Sequence, residues 1–315
     1  MKRIRIVEEE IARRYPEGKM RCPTHLSVGQ EAVAVGVGLA LRGDDLAMSG
    51  HRAHAHYLGK GGDLRAMLAE LHGKVTGCSG GKGGSMHLID VKAGFMGSTA
   101  IVAGTVPVGV GLAYGMDFKG TDQVSCVFLG DAVVETGVFF ESVNFAVLKK
   151  LPVLFVCENN LYSVYSPLRV RQPEGRSIAQ MVQGLGLRAR AGDGNDVVEV
   201  YRMAGEALAE IRRGEGPVFL ELSTYRWREH CGPNYDNDLG YRAEAEFLAW
   251  RAKEPIGRLE ASLRSQRVVS AEESAAMDHA IAREVGAAFA YAEESPFPLA
   301  ASARADLHGE SPAEV

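Results

Sequence analysis

Apolar runs of strand length, each closed by small or polar residues, divide the middle of the chain. Residues 124–129, Val-Ser-Cys-Val-Phe-Leu, form one such run and end on Gly130-Asp131-Ala132. A helical pattern follows over 135–150, and after Pro152 a second apolar run, 153–157, ends on Glu158-Asn159-Asn160. Run, crossover helix and run predict a parallel βαβ unit. In open α/β sheets, ligands bind beyond the carboxyl ends of the strands. Asp131 and Asn160 each stand just past such an end, so neighbouring strands would bring a carboxylate and an amide oxygen together. Oxygen donors of that kind suit a hard cation such as Mg²⁺, which bridges to phosphates. On this pair alone, a plain βαβ unit with polar turns is the competing reading.

The same patterning predicts an exposed helix over 6–14, ended by Pro16 and Gly18. Ser27-Val28-Gly29-Gln30 fits a capping box before a small-residue helix, 31–40, slim enough to pack closely on another backbone. A short helix over 63–71 closes at Gly73. Another small-residue helix spans 105–116, and its start offers backbone amides to a ring or a diphosphate. Residues 197–213 form an amphipathic helix and 217–225 a buried strand. Two surface helices cover 255–263 and 271–293. The expectation is one α/β domain over 1–295, a mostly parallel sheet flanked by helices with a helical C-terminal region. A tail, 296–315, would wrap a partner or stay mobile. The polar stretch 161–177, with Pro167, Pro173 and several arginines, reads as a lid or binding loop.

Composition narrows the class. Of 315 residues, 46% are apolar, enough for a sizeable core, and the net charge of −5 gives no reason to expect nucleic acid or an anionic membrane as partner. No long apolar segment follows the basic start, so neither a secretion signal nor a membrane span is expected. The five cysteines are scattered without a Cys-x-x-Cys pair, which argues against zinc and disulfide frameworks and for a reducing, cytoplasmic setting.

Three further stretches carry candidate chemistry. Residues 49–57 gather His51, His54 and His56 around Arg52. A zinc site from these histidines lacks a nearby carboxylate or cysteine, whereas an arginine fork among histidines suits anion recognition. Residues 77–87, Gly-Cys-Ser-Gly-Gly-Lys-Gly-Gly-Ser-Met-His, are glycine-dense without Walker A spacing, and would let backbone approach a ligand or a subunit. Residues 225–231, Tyr-Arg-Trp-Arg-Glu-His-Cys, set charged groups at the end of a strand.

Taken together, these segments resemble one family. His25-Leu26-Ser27-Val28-Gly29-Gln30-Glu31-Ala32, His51-Arg52-Ala53-His54, Gly81-Lys82-Gly83-Gly84-Ser85-Met86-His87, Ile101-Val102, Val106-Pro107, Gly130-Asp131-Ala132 with Asn159-Asn160, and Thr224-Tyr225-Arg226 occur in that family's order over nearly the whole chain. It is the alpha subunit of the thiamine-diphosphate-dependent 2-oxo-acid dehydrogenases, of the pyruvate, acetoin and branched-chain type. The resemblance implies the thiamine-diphosphate-binding fold and Mg²⁺ held by Asp131, Asn160 and the carbonyl of Tyr162. It implies Arg52 on the diphosphate, with backbone of Val102, Ala132 and Val133 lining the cofactor. His51 and Arg228 would belong to the same surround, and His54 and His230 would face its reacting end as catalytic candidates. It also implies a separate beta subunit that supplies an activating glutamate, a heterotetramer, and a lipoyl-bearing acyltransferase as acceptor.

Several positions depart from the family pattern. His51 replaces a tyrosine, Ala132 a glycine and Glu135 an asparagine, and Arg228-Glu229-His230 keeps one histidine of a His-x-His pair. These departures leave two other functions open. One is carboligation of the acyl group onto an aldehyde or keto-sugar; the other is a non-catalytic, cofactor-binding scaffold subunit.

Overall fold

The computed structural model describes residues 1–304. Its strands are β1 (Leu46–Ser49), β2 (Phe95–Ser98), β3 (Ser125–Gly130), β4 (Val153–Asn159), β5 (Tyr162–Ser163), β6 (Ser166–Pro167), β7 (Arg188–Asp193) and β8 (Val218–Ser223). Six of them form one sheet in the order β2-β1-β3-β4-β8-β7, every neighbour parallel, while β5 and β6 pair as a small antiparallel hairpin. The helices are α1 (Lys2–Arg14), α2 (Glu31–Ala40), α3 (His54–Gly59), α4 (Leu64–Leu71), α5 (Thr105–Lys119) and α6 (Gly137–Lys149). They continue with α7 (Leu168–Arg171), α8 (Ile178–Gln183), α9 (Val197–Arg212), α10 (Glu244–Arg251), α11 (Pro255–Ser265) and α12 (Ala271–Glu294).

The predicted βαβ unit is β3-α6-β4, at the centre of the sheet. Its strands are buried on both faces: Cys126, Phe128, Leu154 and Val156 enter the core on one side, Val127, Leu129, Phe155 and Cys157 the core on the other. Two-sided burial explains why these runs are continuously apolar and not alternating. The register pairs Gly130 with Glu158, so the residues that follow the two strands emerge side by side. The small-residue helix α2 meets the backbone of α3 where two glycines face each other; a Cβ on Gly38 would collide with the carbonyl of Gly59. Close approach of backbones is what its composition predicted.

Other expectations change. The N-terminal helix begins at Lys2 and is not exposed, because Ile4, Val7 and Ile11 are buried in the core that also holds Val285 and Phe289 of α12. The latter pair likewise gives α12 a buried face. The Ser27 capping box does not form. Gln30 is the N-cap of α2 without a side-chain bond, and Glu31 instead accepts from the Gly29 N–H while pairing with Arg5. The helix expected over 135–150 starts at Gly137, after a 3-10 turn over Asp131–Glu135. Within 161–177 the structure shows the β5–β6 hairpin and the short helix α7. Of the tail, Ser295 and Pro296 bond back to Lys74 and Val75, and Phe297 lies under the Lys74 ammonium. The remainder, 305–315, lies outside the described residues.

Candidate functional site

The carboxyl ends of β1, β3 and β4, the first residue of α5 and His230 surround one cleft. Asp131 and Asn160 both line it, as does Tyr162, so the strand-end pair does converge. The two asparagines divide their tasks. Asn159 is held inside the fold: its amide donates to Glu221 (2.8 Å) and its oxygen accepts from Leu161 N–H (3.2 Å). Asn160 Oδ1 accepts from Tyr162 N–H (3.2 Å), an Asx turn that fixes its side chain at the cleft wall. The Tyr162 hydroxyl is drawn away to Glu246 (2.7 Å), which keeps its backbone at the cleft. Burial pushes the Asp131 carboxyl above its usual range against the pull of Arg171. Arg171, from α7, pairs with both Asp131 and Glu135. The acid introduced by Glu135 is therefore engaged by an arginine of the same loop.

Backbone strain collects at this cleft. Ala103 (φ 66°) and Val164 (φ 55°) line it, and Leu161 (φ 71°) adjoins it, all in the left-handed region. A β-branched residue there is a true outlier, and such conformations persist where the surroundings over-determine them. Ala132, by contrast, has no positive φ; it lies within the 3-10 turn, so Gly-Asp-Ala closes this strand as well as Gly-Asp-Gly would.

Arg52 lies deep in the opposite wall. Its guanidinium donates to the Leu26 carbonyl (2.6 Å) and the His230 carbonyl (3.2 Å), and it forms no ion pair with a carboxylate among the described residues. A buried cation met only by carbonyls and the His230 ring nitrogen (3.4 Å), with no carboxylate, is a receptor for an anion. Burial, then the positive charge of Arg226, lowers it to about 10, which leaves it charged at neutral pH. Beside it, His51 and His230 line the cleft and stack edge-on with each other and with His25. His25 was not anticipated as a site residue. It stands far from the others in sequence, and only its place in the His-Leu-Ser-Val-Gly-Gln segment marked it.

Two expected site residues do not reach the cleft. His54 is wholly buried, with Nε2 bonded to Ser85 Oγ (2.8 Å) and Nδ1 3.3 Å from the buried Glu8 carboxylate. The start of α3 at His54 splits the histidines: His51 precedes the helix, and His54 and His56 project from its first turn in different directions. His56 bonds Ser49 (2.8 Å) and stacks on Phe128. Arg228 is turned outward to Glu9 and the Pro233 carbonyl and does not line the cleft. The glycine-dense loop has an internal purpose. Backbone N–H groups of Ser79, Gly81, Gly83 and Gly84 all donate to the buried Glu70 carboxylate, between 2.6 and 3.0 Å. That nest satisfies a buried anion and positions Ser85 against His54.

An α/β sheet with strand-end oxygens facing a buried arginine that has no carboxylate partner defines a protein suited to an anionic ligand. Residues 1–301 match the family described as dehydrogenase E1 component, and the chain belongs to it. A pyruvate dehydrogenase E1 component subunit alpha of Rickettsia typhi is 33% identical over 295 residues, covering 94% of this chain and 89% of that protein. Its counterpart in Zymomonas mobilis is 36% identical over 94% of this chain and 82% of its own length. A chloroplastic alpha-3 subunit of Arabidopsis thaliana is also 36% identical, over 93% of this chain and 69% of its own. These likenesses bear out the resemblance to a thiamine-diphosphate-dependent 2-oxo-acid dehydrogenase alpha subunit.

Proposed function

We propose that this chain is the alpha half of a two-chain enzyme that decarboxylates pyruvate or a close 2-oxo acid and passes the acyl group to a lipoyl acceptor. The observation that carries this reading is the cleft itself, where Asp131 and Asn160 face the unpaired Arg52. Asp131, Asn160 and the Tyr162 carbonyl are the oxygen donors for Mg²⁺, and Arg52 is the counter-charge for the diphosphate. Val102, Ala132 and Val133 line the same cleft, and on this reading their backbone would face the cofactor. When bound, thiamine diphosphate supplies the carbon nucleophile and the electron sink for decarboxylation.

This chain's own residues bind, orient and exclude water. Of the imidazoles lining the cleft, His56 is held by Ser49 and Phe128, which leaves His51 and His230, and not the buried His54, for proton transfer at the reacting end. The pull of the Glu8–His54–Ser85 chain is instead to hold α1, α3 and the glycine loop in register. The relatives' names favour pyruvate; no observation favours carboligation or a scaffold role.

The beta subunit has a face to dock on. Helix α5 is apolar all round, yet Val108, Tyr114 and Phe118 are exposed, as are Phe145 and Leu148 of the adjoining α6. A helix of that kind belongs inside an assembly. The reducing setting fits a cytoplasmic protein, with all five cysteines unpaired.

Titration calorimetry on the complex with its beta subunit tests the cofactor reading. Thiamine diphosphate is expected to bind with Mg²⁺ and not without it, and Asp131→Ala is expected to weaken binding by roughly a hundredfold, the loss of a charged ligand to a buried cation. Undiminished binding by that variant would remove the metal assignment.

A further inference from the structure

We infer that Glu8 is a positioning residue for the cofactor site, holding residues 24–28 from behind and through them setting Arg52 in place. This rests on the reading of Arg52 as the arginine for the diphosphate. Glu8 does not line the cleft; it projects from α1 and is wholly buried. Its Oε2 accepts from the Ser27 N–H (2.7 Å), and its Oε1 lies 3.3 Å from His54 Nδ1. His54 is fixed in turn by Ser85 Oγ, 2.8 Å from its other nitrogen. The carboxylate therefore joins α1, α3 and the chain around Ser27 at one point.

That chain carries the site. Its carbonyls at alternate positions accept from three different partners: Thr24 from the Gly232 N–H (2.8 Å), Leu26 from Arg52 (2.6 Å) and Val28 from the Trp227 N–H (3.0 Å). Arg52 also donates to the His230 carbonyl (3.2 Å), so the diphosphate arginine and the 227–232 loop hang on the same short segment. Residues 23–27 belong to no helix or strand, and no sheet ladder fixes them. Between the Leu26 and Val28 carbonyls, the Ser27 N–H is held by Glu8. Loss of that bond frees the segment at the position flanked by two of its site contacts.

Packing alone gives no reason for a carboxylate at this position. The buried face of α1 is otherwise Ile4, Val7, Ile11 and Ala12. A well-packed apolar side chain in place of a buried ion is commonly neutral or stabilising. What an apolar residue cannot do is accept from Ser27 or counter a buried guanidinium. Burial and the charge of Arg226 lower Arg52, and the charge of Glu8 acts against them. Glu8 thus supports Arg52 twice, by geometry through Leu26 and by its field, without touching the ligand that Arg52 would meet.

The test is calorimetry of thiamine diphosphate with Mg²⁺ on the two-chain complex. Glu8→Met fills the same space without an acceptor, and should weaken binding at least about tenfold, the scale of a lost charged hydrogen bond. Glu8→Gln keeps an oxygen for Ser27 and should return affinity to within about threefold of wild type. In an Arg52→Lys background, which lacks the guanidinium fork, Glu8→Met should weaken binding by less than about threefold, because residues acting through one another are not additive. Wild-type affinity in Glu8→Met, no rescue by Glu8→Gln, or an undiminished effect beside Arg52→Lys would each overturn the inference. A purely structural carboxylate would lower stability without that coupling. Should Glu8→Met not fold, Glu8→Asp, one methylene short of Ser27, takes its place in the cycle. Amide hydrogen exchange on the cofactor-free chain supplies a readout independent of the ligand: Glu8→Met should speed exchange over 24–28, and Glu8→Gln should not. If the wild-type complex binds no thiamine diphosphate, the cofactor reading falls; unchanged exchange in Glu8→Met sinks the role of Glu8 by itself.

Discussion

The two walls of the cleft are built on opposite plans. On the β3–β4 side, oxygen donors come from consecutive strands of one βαβ unit and are fixed by local turns, Asn160 through its own Asx bond to Tyr162. On the other side, imidazoles come from segments around residues 25, 51 and 230 that meet only in the folded chain, with Arg52 bonding the Leu26 and His230 carbonyls. The first wall is a property of local sequence and the second of tertiary structure. They therefore differ in what disturbs them: competition for a charge on the oxygen side, protonation on the nitrogen side.

Acid gives the largest separation between them. Burial, followed by Arg52 and the neighbouring histidines, holds His25 near 2, while His51 stays near 4 and His230, which also feels Arg226, near 3. The unfolded chain protonates the same rings near 6.5. Between about pH 6.5 and 4 the unfolded state thus binds protons that the folded state refuses, so stability falls as pH falls through this window. We expect the urea midpoint of the metal-free chain to drop steeply from pH 7 to pH 5, and the His51→Gln, His230→Gln double variant to flatten most of that drop. Parallel profiles for the two proteins would show that these rings titrate normally, and would dissolve the contrast between the walls.

The difference between the walls also explains what was legible in the sequence. Asp131 and Asn160 were readable because a strand's apolar run announces its own end, and adjacent parallel strands put those ends together. His25 was not, since nothing local to residue 25 reports that a loop two hundred residues later will lie against it. The clustering of His51, His54 and His56 misled for the same reason: closeness along the chain is a local pattern, and the start of α3 at His54 broke it. The edge strands were missed as well. Arg188-Ala189-Arg190-Ala191 of β7 exposes its arginines to Glu210 and Glu215 and buries little, so it lacks the apolar signature of a central strand. The glycine loop resisted reading because its ligand, Glu70, lies on another element, α4.

The oxygen wall is sharpened by Arg171. Its guanidinium occupies the Asp131 carboxylate that Mg²⁺ would ligate, and Glu135 holds it there. Arginine and metal then compete for one group, a contest worth about 1 kcal/mol for a largely buried pair that keeps alternative partners. Arg171→Ala is expected to tighten Mg²⁺-dependent cofactor binding by about fivefold in calorimetry on the two-chain complex. Weaker binding would mean that Arg171 moves onto the ligand and belongs to the holo site, which would make this wall as dependent on tertiary arrangement as the other.

The smallest effect falls on the departure most visible in the sequence. A glycine after Asp131 would matter if the turn required a left-handed residue, but Ala132 sits in an ordinary 3-10 turn without positive φ. On the proposed reading its contribution at the cleft is backbone, which both residues would offer alike. Restoring the familiar motif by Ala132→Gly should therefore change cofactor affinity and turnover by less than about twofold. The cost should appear in stability instead: the glycine widens the unfolded ensemble without gaining a conformation the fold needs, lowering stability by about 0.5–1 kcal/mol. Chemical denaturation of the two proteins measures that loss. A large gain in turnover with Ala132→Gly would show that the turn must pass through a conformation alanine resists, and that local sequence limits even the wall it most plainly encodes.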